Sequence, residues 1–172
     1  MTVASAYDHT QANVVKRAIR RSAGWKPLSL FYSRTLHLLD RAVFKLTRGR
    51  VTFTSWLGGL PVALLTTTGA KSGAERTSPV VAIPAGEGRM VVIASNYGQR
   101  KNPAWYHNLK KNPRARLLFD GSEHEMTARE LDGDERAEWY ERGIEIYPGW
   151  VQYRQRAPRT IPVIELSMPE GG

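Results

Sequence analysis

A mainly β domain of the α+β class, a small antiparallel barrel with flanking helices, is the fold this sequence predicts. Three observations carry it. Short segments rich in β-branched residues follow one another along most of residues 61–167. Turns bearing Gly or Pro bound most of them. The strand–helix–strand alternation of a parallel sheet is missing, and no GxGxxG occurs, which disfavours a dinucleotide-binding fold.

The elements follow in order. Residues 1–24 read as a weakly helical arm. Residues 28–47, LSLFYSRTLHLLDRAVFKLT, place Leu28, Phe31, Leu39, Val43 and Leu46 at near-helical spacing, with Arg34, Arg41 and Lys45 on another face. That amphipathic helix either packs on the core or lies on an anionic membrane. Strands are expected at 61–69, 78–84, 89–95, 115–120, 123–132 and 160–167. AGEG (85–88) and GS (121–122) read as turns. Two helices interrupt the strands. One spans 102–113, with Asn102 as N-cap and Pro103 at the first helical position. The other spans 132–147 and opens with acids that suit the helix dipole. The organisation is therefore a basic arm and helix at 1–50, then a barrel domain at 51–172.

The 172 residues suit one domain, and a hydrophobic fraction of 41% supports a packed core. The absence of cysteine rules out disulfides, iron–sulfur clusters and thiol catalysis. The four histidines, His9, His37, His107 and His124, are scattered, so no metal site is expected. The net charge is +9 and is unevenly spread. Residues 1–50 hold ten Lys/Arg against Asp8 and Asp40, and the remainder holds fifteen against fourteen acids. The arm suits an anionic membrane surface. No recognition motif or even basic face supports a nucleic-acid partner. With no secretory signal and no apolar run of transmembrane length, a cytoplasmic protein is expected.

Three stretches carry candidate chemistry. TTTGAKSGAERTSPV (66–80) puts Lys71 and Arg76 around a Gly-bearing turn. Such a turn can aim several backbone N–H groups into one concavity that prefers an anion. Ser72 adds a hydroxyl, and Arg can grip phosphate bidentately. A solvated basic turn is the alternative. SNYGQRKNPAWYHNLKKNP (95–113) combines cations, amides and aromatics, which suits a flat ring with charged groups. Trp105 and Leu109, four apart, equally suit the core of a short helix. In YPGWVQYR (147–154), Tyr147, Trp150 and Tyr153 recur every three residues and either line a pocket or fill the core.

Taken in order, LLTTTGAKSGAERTSPV, VVIASNYGQRKNPAWYHNLKKNP, MTARELDGDERAEWYER and YPGWVQYRQRAPRTIPVIEL resemble the deazaflavin-dependent nitroreductase family over about residues 60–167. These are actinobacterial oxidoreductases that use coenzyme F420. The resemblance implies a split β-barrel of the FMN-binding type, in which the reduced deazaflavin donates a hydride from its C5. It implies that Lys71, Ser72, Gly73, Arg76 and Pro79 bind the cofactor. The second motif adds Ser95, Asn96, Lys101, Asn102, Pro103, Trp105, Tyr106 and Asn108. Val81, Tyr147, Trp150 and Tyr153 fall on the acceptor side, and Tyr147 is the candidate catalytic residue, orienting the acceptor or donating a proton.

Two positions depart from the nitroimidazole-activating members, which carry tyrosine at Trp150 and another aromatic at Val81. The expected hydride acceptors are quinones, activated alkenes such as enones, or nitro compounds. An FMN-dependent split-barrel reductase and a non-catalytic deazaflavin carrier are the alternatives.

Overall fold

The computed structural model describes residues 60–169 of the chain. The arm and helix expected within residues 1–50 lie outside these residues. Six strands form a closed antiparallel barrel: β1 Val62–Thr68, β2 Glu75–Pro84, β3 Arg89–Ile93, β4 Arg114–Phe119, β5 Ser122–Leu131 and β6 Val163–Ser167. Their order around the barrel is β1-β2-β3-β6-β5-β4, closed where β4 pairs with β1. Closure leaves no strand edge unpaired, which removes the template for edge-to-edge association. Among the described residues three α-helices flank it: α1 Ala104–Lys111, α2 Gly133–Ile146 and α3 Gly149–Arg156.

Two cores explain the sequence pattern. Alternate residues of β1, Ala63, Leu65 and Thr67, are buried, and the register sets Ala63 opposite Val80 on β2. With Val92, Ala115, Leu117, Met126, Ile164 and Leu166 they form the first core, into which α1 inserts Trp105 and Leu109. Burying a side chain the size of leucine is worth about 1.5–3 kcal/mol. The second core joins Ile83, Val91, Ile93 and Val163 to Tyr140 and Ile146 of α2 and to Trp150 and Tyr153 of α3. Strands β2, β3 and β6 thus bury residues on both faces, which is why VVAI, VVI and PVIEL are nearly continuous apolar runs.

Several boundaries differ from expectation. β2 begins at Glu75, three residues early, because pairing to β1 extends through Thr68↔Glu75 although ERT carries no apolar residue. β3 ends at Ile93, and residues 94–103 form a loop with a 3-10 turn at Asn96–Gly98. The second hairpin bends at Asp120 and Gly121, both with positive φ, so Ser122 already belongs to β5. Pro103, not Asn102, stands at the N-cap of α1, with an extended ψ of 153°. Because Pro103 is itself extended, the first helical residue is Ala104 and Asn102 falls one place too far out to cap. Helix α3 was not expected. Pro148 and Gly149 stand at its N-cap and first residue.

Candidate active site

The first part of the site is the turn between β1 and β2. Gly73 adopts φ +69°, a left-handed conformation that glycine accepts without strain. Its N–H donates to Gly69 O at 2.8 Å, and Gly69 N–H donates to Ala74 O at 2.8 Å. The turn is then fastened to α1. Asn108 is buried, and its Oδ1 accepts from Ala70 N–H at 2.9 Å while its Nδ2 donates to Thr67 Oγ1 at 3.0 Å. Thr67 Oγ1 donates onward to Arg76 O at 3.3 Å. Lys111 Nζ donates to Ala70 O at 2.6 Å.

What this frame presents is positive charge. Lys71, Ser72 and Arg76 are exposed, and among the described residues neither cation has an ion-pair partner. The nearby acid does not neutralise them, for a reason set by strand geometry. Successive side chains on a strand point to opposite faces, so Glu75 leaves on the face opposite Arg76. There it accepts from Arg116 Nη2 at 2.9 Å. Arg116 was not singled out in the sequence, because nothing in residues 66–80 shows which strand runs beside β1.

The second part is the loop of residues 94–103. Asn96 and Tyr97 sit at φ 45° and 57°, unusual for residues with a side chain. Asn96 Nδ2 donates to Lys101 O at 2.8 Å. Gly98 is packed so closely on α3 that a Cβ there would lie 2.9 Å from Tyr153 O. Lys101 is exposed, and Ser95 Oγ accepts from Trp150 Nε1 at 3.2 Å. Asn102 Oδ1 is buried and has no hydrogen-bond partner among the described residues. A buried acceptor without a donor is a feature that a ligand or water is expected to satisfy.

The remaining second-motif residues are placed as follows. Trp105 is buried in the barrel core, where truncating a large aromatic costs about 3–5 kcal/mol, so its first contribution is to the fold. Tyr106 turns toward β5, its hydroxyl donating to Glu130 Oε1 at 3.2 Å. Burial and the Glu130 carboxylate hold its phenol above the usual value, so it stays protonated. Pro79 faces Leu64 and Val81 faces Val62 across the β1–β2 ladder, both half-buried.

The aromatic set closes the third side. Tyr147, Trp150 and Tyr153 are all buried, and the Tyr147 and Tyr153 hydroxyls lie 3.0 Å apart. Burial pushes the Tyr153 phenol far up, with the Tyr147 hydroxyl adding to the effect. Tyr140 of α2 donates to Trp150 O at 3.0 Å and so fixes the start of α3. Arg159, absent from the sequence reading, reaches back from beyond α3 to the carbonyls of the 94–101 loop.

The donor set fits a large anionic heterocyclic cofactor. Unneutralised cations and a glycine turn suit a phosphate and carboxylates, and the orphaned Asn102 oxygen suits a ring N–H or hydroxyl. Among the described residues no group of His, Asp or Glu is placed to hold a metal.

Comparison with known proteins identifies the family. The family model described as F420H(2)-dependent quinone reductase matches residues 40–167. An F420H(2)-dependent quinone reductase of Mycobacterium tuberculosis strain H37Rv is 32% identical over 132 residues, covering 75% of this chain and 87% of that protein. A solved F420-H2 dependent reductase, FDR-A, is 38% identical, with a TM-score of 0.57, over 62% of this chain and 94% of its own. A second solved structure, described as a domain-swapped dimer, is 33% identical, with a TM-score of 0.60, over 74% of this chain and 95% of its own.

Proposed function

Because this chain belongs to the F420H(2)-dependent quinone reductase family, we propose that it reduces a quinone at the expense of reduced coenzyme F420, whose anionic part is held at the β1–β2 turn. The observation that carries this reading is the cationic turn itself. Lys71 and Arg76 are exposed and unneutralised among the described residues, on a frame that Asn108 and Lys111 lock to α1.

When bound, the reduced deazaflavin supplies a hydride from its C5. The protein's own part is to bind, orient and shield. Lys71 and Arg76 bind phosphate and carboxylates, with Ser72 and the turn around Gly73 adding donors. Ser95, Asn96, Lys101 and Asn102 on the following loop hold the ring, and α1 beneath them keeps both segments in register. Tyr147, Trp150 and Tyr153, with Val81, shape the acceptor side. The Tyr147 hydroxyl orients the acceptor or delivers a proton to it from Tyr147 Oη. Enones and nitro compounds are proposed as further acceptors, since each takes a hydride at an electron-poor atom.

In this reading residues 51–172 are the deazaflavin-binding domain. The basic arm and helix of residues 1–50 place a cytoplasmic enzyme on an anionic membrane face. Among the described residues no helix is long and apolar enough to cross a membrane.

The test is a pair of titrations. Coenzyme F420 should bind with an affinity that falls as salt rises, because exposed charges are screened. FMN should bind far more weakly. Tight FMN binding and none of F420 would replace the reading with a flavin-dependent one.

A further inference from the structure

We infer that Arg159 is a positioning residue, which sets the shape of the 94–101 loop and acts on the cofactor through that loop. The inference rests on the proposed use of this loop in holding F420.

One guanidinium collects four carbonyls of a single segment. Arg159 Nε donates to Gln99 O at 3.1 Å. Its Nη2 lies 3.1 Å from Ser95 O, 3.3 Å from Ala94 O and 3.4 Å from Lys101 O. The carbonyls of Ala94 and Lys101 flank the segment that bears Asn96 and Tyr97 at positive φ. Such conformations persist only where the surroundings over-determine them. Other bonds contribute, among them Arg156 Nη1 to Tyr97 O at 3.4 Å, Asn96 Nδ2 to Lys101 O at 2.8 Å, Trp150 Nε1 to Ser95 Oγ at 3.2 Å and the backbone bonds Gly98 N–H to Ser95 O at 2.9 Å and Gln99 N–H to Asn96 O at 3.0 Å. None of these reaches from Ala94 to Lys101, as Arg159 does. The planar fork of arginine holds the Nε and Nη2 donors on two nitrogens in fixed directions, whereas a lysine ammonium carries its three donors on one nitrogen and cannot occupy both places at once. The loop so held carries Ser95, Asn96 and Lys101 and runs into Asn102, whose Oδ1 is the buried acceptor without a partner.

The experiment compares Arg159→Lys and Arg159→Ala with the wild-type chain. The first readout is amide hydrogen exchange without cofactor. Faster exchange is expected across residues 94–102 in both variants, with the strands β1, β4 and β5 unchanged. The second is F420 affinity by titration, expected to fall about tenfold or more in both variants, on the scale of lost hydrogen bonds at a binding site. The KM for a quinone such as menadione should move less than the KM for reduced F420. If Arg159→Ala does not fold, Arg159→Lys carries the test alone. Wild-type exchange and affinity in the lysine variant would overturn the inference, because charge without the fork would then suffice. Uniformly faster exchange across the whole barrel would also overturn it, since the residue would then be merely structural. Should the wild-type chain itself fail to bind F420, the cofactor reading fails, and the exchange data still decide whether Arg159 holds the loop.

Discussion

Asn108 on α1 and Thr67 on β1 share a buried hydrogen bond of 3.0 Å, which ties the helix to the strand that leads into the cationic turn. The other half of the same carboxamide holds Ala70 N–H at 2.9 Å. A single side chain thus joins the two segments assigned to the cofactor. Replacing it with alanine leaves both turn groups without their partner. Asn108→Ala should cost about 1–3 kcal/mol of stability, the scale for a buried group left unsatisfied. It should also weaken F420 binding, although both ends of the carboxamide are engaged within the protein. Urea unfolding beside an F420 titration checks both. A stability loss with no loss of affinity would separate the turn's shape from cofactor binding.

Charge at the turn is tested directly by Lys71→Ala and Arg76→Ala. Each should weaken F420 binding by roughly 1–3 kcal/mol, the scale of a charge-assisted hydrogen bond. Each should also flatten the salt dependence. Arg116→Ala should act in the same direction and more weakly, because it leaves the Glu75 carboxylate unpaired near the turn, where its charge opposes an anion from a distance while strand geometry keeps it on the opposite face. Wild-type titrations for both Lys71→Ala and Arg76→Ala would remove the turn from the cofactor site.

Tyr140 sets an alkaline limit on the fold. Burial raises its phenol from 10.0 to about 12. The folded state therefore holds the proton more tightly than the unfolded chain. That contribution to stability is complete below pH 10 and is lost as pH rises from 10 to about 12. The buried Tyr153 phenol acts in the same direction. Tyr140→Phe should lower stability at neutral pH by about 1–3 kcal/mol, since Trp150 O loses its donor, and should make the alkaline decline shallower. Urea midpoints measured from pH 8 to 12 check the pair of effects. A variant with the same alkaline slope as wild type would contradict the assignment.

The aromatic set is proposed to shape the acceptor side rather than the cofactor side. Tyr147→Phe removes one hydroxyl of the 3.0 Å pair with Tyr153. F420 affinity should hold, while kcat/KM for a quinone should fall on the order of tenfold or more if that hydroxyl positions a proton. Trp150→Tyr should shift preference among acceptors toward bicyclic nitroimidazoles. Loss of F420 binding with unchanged acceptor preference would move these residues out of the acceptor pocket.

All six strands within residues 60–169 were legible in the sequence: β1, β2, β3 and β6 carry β-branched runs, while β4 and β5, with only Thr127 between them, are marked by the turn at 121–122. Barrel closure followed from the lack of parallel connections. What escaped was set by contacts distant in the chain. β2 starts at Glu75 only because β1 pairs that far, and no apolar residue announces it. Helix α3 was hidden by Pro148 and Gly149, although a proline is well tolerated at a helix start. Asn108 stood out as an amide in a motif, but its bonds to Thr67 and Ala70 span 41 and 38 residues. Arg159 lies 58 to 65 residues from the carbonyls that it holds, so only the fold could reveal it. Tyr147, Trp150 and Tyr153 were seen as a set, and their burial favours core filling while leaving the acceptor role to experiment.

Oxidation of reduced F420 by menadione in the presence of the full chain is the most direct measurement of the central claim. Loss of reduced F420 and formation of the quinol should proceed one for one, accelerated by the protein. The rate should fall in Lys71→Ala and Arg76→Ala through a higher KM for reduced F420, and reduced FMN should not substitute. No acceleration over the protein-free reaction, or equal turnover with reduced FMN, would contradict the account.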